Sequence, residues 1–86
     1  MTREQILVEI TRSLVDDFEV DPALVRPEAR LREDLDLDSI DAVDLSVKMQ
    51  ELTGRRVEES RLRAIRTVAD IVDTIAADLT REKLPR

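Results

Sequence analysis

The residues that could take part in chemistry are concentrated in one short segment, Asp34-Leu35-Asp36-Leu37-Asp38-Ser39-Ile40-Asp41. Its carboxylates could bind a cation, and Ser39 offers a hydroxyl. The chain has no histidine and no cysteine, which removes the usual general base, the usual thiol nucleophile and zinc sites built from these residues. We therefore expect a binding or carrying protein and not an enzyme. Any thiol in its chemistry must come from a cofactor.

A calcium loop is the first candidate for the acidic residues. Asp34, Asp36 and Asp38 have the spacing of the first ligands in an EF-hand loop. That loop also requires glycine at its sixth position and glutamate at its twelfth, where this chain has Ser39 and Leu45. The EF-hand interpretation therefore fails, and we expect no dedicated metal site, while weak binding of a divalent cation to the clustered carboxylates stays open. A serine among acids also has an ordinary structural explanation, because these residue types favour the start of a helix.

The net charge of −6 arises in one part of the chain. Residues 33–51 contain seven acidic residues and one lysine, and acidic and basic residues balance in the rest. A negative field focused on one surface disfavours nucleic acid and favours a basic protein partner. No apolar run approaches the roughly 20 residues that cross a bilayer. We therefore expect no membrane partner and a cytoplasmic location. The sequence carries no signal for oligomerisation, and a monomer is the simplest expectation.

Two features in the first third of the chain determine where this segment lies. Thr2 and Gln5 have the pattern of a capping box that opens a first helix, and apolar spacing extends that helix to about Asp17. Pro22 and Pro27 then indicate a long structured loop. Apolar loop residues are expected to attach it to the helices: Leu24, Val25, Leu31, Leu35 and Leu37.

Three further helical segments follow the loop. A second helix is predicted over residues 39–53, with Gly54 as its stop. Residues 57–65 fit a short third helix or turn, and Thr67 with Asp70 marks the start of a last helix.

The predicted fold is all-α, a small four-helix bundle of three main helices and one short one, with a long loop between helices one and two. At 86 residues the chain has the length of one domain. We expect a carrier or binding domain over residues 1–79 and a frayed tail over residues 80–86.

The second helix has two apolar stripes, at about 100° of rotation per residue. One stripe contains Ala42, Leu45, Met49 and Leu52, and the opposite one contains Ile40, Val43 and Val47. A surface helix needs only one apolar face. Either the helix is buried on both sides, or the second stripe is exposed and docks a partner. Asp44 and Glu51 border that stripe, as suits a transient interface in which charges steer the encounter.

The segment Leu35-Asp36-Leu37-Asp38-Ser39-Ile40-Asp41-Ala42-Val43-Asp44-Leu45 resembles the phosphopantetheine attachment region of acyl carrier proteins. In that family an Asp-Ser pair begins the second helix after a long loop. The similarity covers nearly the whole chain, including the first amphipathic helix, Gly54, and Thr67-Val68-Ala69-Asp70-Ile71-Val72 at the start of the last helix.

The resemblance implies that a separate phosphopantetheinyl transferase attaches 4'-phosphopantetheine to the Ser39 hydroxyl, beside Asp38. It implies a carrier of acyl thioesters for fatty-acid or polyketide-type synthesis, with ketosynthases, acyltransferases and other acyl-processing enzymes as partners. Such enzymes present basic residues around their active-site entrances. The family's partner-contacting positions are matched here by Ile40, Asp41, Val43, Asp44, Val47 and Glu51.

Some residues depart from the family's usual pattern. Ile40 replaces the more usual leucine, Lys48 interrupts the acidic helix, and five arginines follow it within residues 55–66. The arginines either pair with neighbouring acids or form a surface that narrows the choice of partner. Two other functions stay open: an aminoacyl or D-alanyl carrier, and an unmodified helical interaction module.

Overall fold

The computed structural model describes residues 1–83 and, in the last helix, the side chains up to Leu79. Within that range the chain forms four α-helices, which confirms the predicted all-α bundle: α1 (Arg3–Phe18), α2 (Ser39–Thr53), α3 (Glu59–Ala64) and α4 (Val68–Lys83). A short 3₁₀ turn, Pro22–Leu24, lies in the long loop between α1 and α2. None of the described helices combines the length and the apolar character of a bilayer-spanning segment.

The predicted helix starts are confirmed by their capping hydrogen bonds. The Gln5 N–H donates to Thr2 Oγ1 at 3.1 Å, and the Thr2 N–H donates to Gln5 Oε1 at 2.8 Å. Thr67 and Asp70 make the same reciprocal pair at the start of α4. Gly54 ends α2 with a φ of 72°, a left-handed conformation that glycine adopts without steric cost. These local signals define where the main helices begin and end.

The core is built on α4, against which both α1 and α2 pack. Each of these three helices contributes one buried stripe at helical spacing, as expected for a small bundle, whereas α3 has no fully buried residue. The fully buried side chains are Ile6, Ile10 and Leu14 of α1, Leu45 and Met49 of α2, and Val68, Ile71, Ile75 and Asp78 of α4. Asp78 is the charged exception, and its Oδ1 accepts a hydrogen bond from Arg61 at 2.9 Å, which joins α3 to α4.

The long loop is tied to the connection between α3 and α4 by backbone hydrogen bonds. The Leu31 N–H donates to the Arg66 carbonyl at 2.9 Å, and the Val68 N–H donates to the Ala29 carbonyl at 3.0 Å. Leu35 and Leu37 are buried as predicted, but Leu24 is 44% exposed and does not attach the loop. It lies in the 3₁₀ turn, whose three residues point away from the core. The loop therefore reaches α2 along a defined path.

The chain end differs from the expectation. α4 continues four residues past the predicted domain boundary at residue 79, to Lys83. The rest of the predicted tail, residues 84–86, lies outside the described residues. The domain boundary itself stays a prediction.

The two faces of α2 give a direct test of this packing. We expect Leu45→Ala to lower the free energy of unfolding by about 2–5 kcal/mol, because it leaves a cavity in the core. The neighbouring Val43→Ala removes an exposed side chain and should change it by no more than about 0.5 kcal/mol. Urea denaturation followed by circular dichroism measures both. Equal losses would mean that α2 is buried on both sides.

Candidate functional site

Asp38 defines the start of α2. Its Oδ1 accepts hydrogen bonds from the backbone N–H groups of Ile40 and Asp41, both at 2.9 Å. The Asp38 N–H donates in return to Asp41 Oδ2 at 3.1 Å, which completes a capping box. Asp38 is therefore the N-cap residue and Ser39 is the first residue inside the helix.

The capping bonds stabilise the charged form of Asp38. The backbone N–H of Asp41, together with that of Ile40, holds the pKa of this carboxyl below its ordinary value of 3.8, and the positive charge of Arg32 adds to the effect. The carboxylate thus stays ionised at neutral pH beside Ser39. Because it accepts hydrogen bonds from two backbone N–H groups, this carboxylate stabilises the start of α2.

Ser39 presents a solvent-exposed hydroxyl at the N-terminus of α2. Among the described residues its Oγ makes no hydrogen bond, because Asp38 already satisfies the first amides of the helix. Its position inside the first turn directs the side chain outward, where a second protein can reach it. The helix dipole favours a negative group attached at this end.

A cavity of about 570 Å³ lies beside Ser39, between the long loop, α2 and α3. Its floor is apolar, from Leu31, Leu37, Ala42, Leu45, Leu62 and Ile65. Arginines line its rim: Arg30, Arg32, Arg63 and Arg66. Leu62 and Arg32 were not singled out by the sequence analysis. Helical spacing within one segment carries no signal for a cavity whose walls come from three separate segments.

The second apolar stripe of α2 is exposed, so the alternative of a helix buried on both faces is wrong. Ile40 is 71% exposed, Val43 56% and Val47 53%. Leu45 and Met49 on the opposite face are buried in the core. Because α4 covers α2 from one side only, the structure leaves three aliphatic side chains together on its outer surface.

The carboxylates around this stripe differ in whether they already form hydrogen bonds or ion pairs within the chain. Asp41 is half-buried and holds the capping box. Glu51 is exposed but lies 3.3 Å from Lys48 Nζ, which also approaches Asp17 at 3.7 Å. These two carboxylates, Glu51 first, raise the pKa of Lys48. Asp44 is exposed and makes no ion pair within the described part of the chain, so it is the carboxylate most available to a partner.

The arginines after α2 are partly accounted for by pairing. Arg61 pairs with buried Asp78, and Arg63 pairs with Glu59 at 2.7 Å. Arg56 and Arg66 make no ion pair with any of the side chains that the structure describes, which extend to Leu79. The basic segment therefore keeps unneutralised charge beside Ser39.

The acidic residues before α2 do not converge on a common point. Asp34 Oδ2 accepts the Arg30 N–H at 2.8 Å, whereas Asp38 caps α2. Within the described residues no group of three or more acidic side chains is arranged to hold a metal ion. The spacing that resembled a calcium loop thus serves two separate backbone contacts.

Comparison with known proteins adds an independent line of evidence. A family model for the phosphopantetheine attachment site matches residues 7–75, a range that contains the Asp38-Ser39 pair. Acyl carrier protein 2 of Ralstonia nicotianae is 49% identical over 75 residues, which cover 87% of this chain and 93% of that protein. The acyl carrier protein of Rubrobacter xylanophilus is 38% identical over 80 residues, or 93% and 99% of the two chains.

Solved structures of two further acyl carrier proteins share the fold. The crystal structure of an acyl carrier protein from Thermotoga maritima superposes with a TM-score of 0.83 at 25% sequence identity, covering 94% of each chain. An acyl carrier protein from Enterococcus faecalis has a TM-score of 0.75 and is 24% identical. It shares the fold over 91% of this chain and 99% of its own.

The caps predict how stability depends on pH. Backbone hydrogen bonds lower the folded-state pKa of Asp34, Asp38 and Asp70 below 3.8. Their contribution is therefore complete above the unfolded-state value and is lost as pH falls through the lower folded-state pKa values. We expect the urea midpoint to hold from pH 7 to about pH 5 and to fall steeply below about pH 4.

Two substitutions at Asp38 separate the effect of the capping hydrogen bonds on stability from the effect of the negative charge. Asn caps helices about as well as Asp, so Asp38→Asn should keep most of the stability at pH 7 and flatten the acid slope. Asp38→Ala should lose stability at pH 7 as well. An unchanged acid slope in both variants would contradict the role given to this carboxylate.

Proposed function

Because this chain belongs to the acyl carrier protein family, whose members hold acyl groups on covalently attached 4'-phosphopantetheine, we propose that Ser39 is the residue that carries the group. The observation that supports this most strongly is the state of its hydroxyl. Ser39 is exposed at the first position of α2, without a hydrogen bond among the described residues, at the mouth of a cavity with an apolar floor.

The residues around Ser39 fit such a group. A phosphodiester on Ser39 would lie at the positive end of the α2 dipole, near the guanidinium of Arg32. Asp38 keeps its carboxylate on the backbone of Ile40 and Asp41, so its role is to hold the helix start and the orientation of Ser39. When attached, the group supplies a thiol that holds acyl chains as thioesters.

The chain cannot activate this serine by itself, because it contains no histidine and the nearest carboxylate caps the helix. Ser39 is thus an acceptor: its oxygen forms the new bond to phosphorus, the hydroxyl proton leaves, and the nucleotide part of coenzyme A departs. The family implies a phosphopantetheinyl transferase as the catalyst of this step.

We assign docking to the outer face of α2, called here the docking face: Ile40, Asp41, Val43, Asp44, Val47 and Glu51. The three aliphatic side chains supply contact area, and Asp44 supplies a free charge beside them. Family membership implies acyl-processing enzymes as partners. Ketosynthases and acyltransferases with basic entrances match the chemistry of this face.

The cargo we propose is an acyl group of fatty-acid or polyketide-type synthesis. The relatives at 49% and 38% identity are both named acyl carrier proteins, which favours this cargo over that of an aminoacyl or D-alanyl carrier. The monomeric state and the cytoplasmic location expected from the sequence belong to the same proposal.

Intact mass tests the attachment residue. After incubation with coenzyme A and a permissive phosphopantetheinyl transferase, the parent chain should gain one phosphopantetheine and Ser39→Ala should gain none. Ser39→Ala removes no side-chain hydrogen bond found among the described residues and keeps the Asp38 cap on α2, so circular dichroism should be unchanged.

Ser60→Ala is the matched control, since Ser60 is also exposed and lies in a short helix nearby. It should be loaded like the parent. Loading of Ser39→Ala would show that another hydroxyl carries the group. A folded parent that gains no mass with its cognate transferase would favour an unmodified interaction module.

A charge placed on the docking face should weaken partner binding. Val47→Asp puts a carboxylate into the aliphatic patch, and we expect the rate of cross-linking between the loaded chain and a ketosynthase to fall roughly tenfold or more. Val8→Asp on α1 is a matched control, because the two valines are 54% and 53% exposed. Equal effects of the two variants would remove α2 as the docking face.

A further inference from the structure

A groove between α2 and α3 begins at Ser39 and runs along the docking face. It encloses about 610 Å³, and its apolar lining comes from Val43 and Val47 of α2 together with Val57 and Leu62. Because side chains from both segments share one surface, a partner that covers Val43 and Val47 also reaches the α3 side. The interface therefore extends beyond the acidic helix.

The two borders of this groove carry opposite charge. On the outer border, Asp44 and Glu51 lie beyond the valines and do not line the groove. On the α3 border the lining includes Arg56 and Arg63. A partner placed over the valines thus meets carboxylates on one side and guanidinium groups on the other.

The positive border is not neutralised by its own segment. Residues 55–66 contain five arginines and two glutamates. Arg63 pairs with Glu59, the one acidic residue of the groove lining. Arg56 is exposed and makes no ion pair within the described residues. It therefore carries a free positive charge at the edge of the groove.

We propose that the partner enzymes of this carrier present a two-sided rim: a basic group facing Asp44 and an acidic group facing Arg56. The inference rests on the docking face assigned above and names the chemistry of what binds there. An enzyme whose entrance is basic throughout places like charges opposite Arg56, and such juxtapositions are strongly unfavourable. Arg56 then acts as a specificity residue that admits dedicated enzymes and excludes others.

A partner of the wrong kind gives the sharpest test. The probe is a fatty-acid ketosynthase whose entrance carries arginine and lysine but no acidic residue. The full chain is loaded at Ser39 with a phosphopantetheine analogue that reacts with the ketosynthase cysteine, and the rate of cross-linking is measured at low salt. We expect Arg56→Glu to raise this rate about fivefold or more, with Arg56→Gln in between.

Arg26→Glu is the matched control. Arg26 is exposed in the long loop, makes no ion pair with the side chains that the structure describes, and lines neither the groove nor the cavity. Arg26→Glu changes the net charge by the same amount as Arg56→Glu. It therefore measures the gain in cross-linking rate that comes from general electrostatic steering alone. The gain of Arg56→Glu should exceed that of Arg26→Glu and shrink at high salt.

Each outcome decides between the two proposals. The two-sided rim is overturned if the loaded parent and the loaded Arg56→Glu variant cross-link at equal rates. It is also overturned if Arg56→Glu raises the rate no more than Arg26→Glu does. Both results leave the carrier function standing. Intact mass before the cross-linking step shows whether the chain has gained phosphopantetheine. If it has gained none, the carrier proposal is overturned and this inference with it.

Discussion

The structure around the site depends on one interaction, the capping of α2 by the Asp38 carboxylate. Two backbone amides that would otherwise lack partners are satisfied by one side chain. Burial of Leu37 fixes the chain just before the cap. Given both constraints, Ser39 has one available place, the first turn of α2 with its hydroxyl toward solvent. The residue that accepts a cofactor in this proposal is thus positioned by a neighbour whose own role is structural.

The second determining constraint is that α2 has one buried side. Leu45 and Met49 insert into the core against α4, and this packing sets the rotation of the helix. Ile40, Val43 and Val47 are then necessarily exposed. A small bundle has no further layer to cover them, which makes an apolar face available for transient contact. The same rotation places Asp44 outward, so contact area and charge share one surface.

Much of this was readable from local sequence. The capping boxes at Thr2 and Thr67 and the bounds of α2 follow from residue types a few positions apart, because helix ends are decided by hydrogen bonds within one turn. The predicted tail began too early. No strong stop signal follows Leu79 before Pro85, and α4 continues to Lys83. The exposure of Leu24 was not predicted either, since an apolar residue in a loop carries no periodicity.

The sequence by itself determined the elements, the Asp-Ser pair at a helix start, the absence of catalytic histidine and cysteine, and the concentration of acid in residues 33–51. Only the tertiary structure decided that the second stripe of α2 stays uncovered, and that Arg56 lies across a groove from the valines. The physical reason is range. Caps and stripes are interactions within one or two helical turns, whereas a groove or a cavity exists only after separate segments pack together. Nothing in a linear pattern specifies whether a second neighbour also covers the other apolar face of a helix.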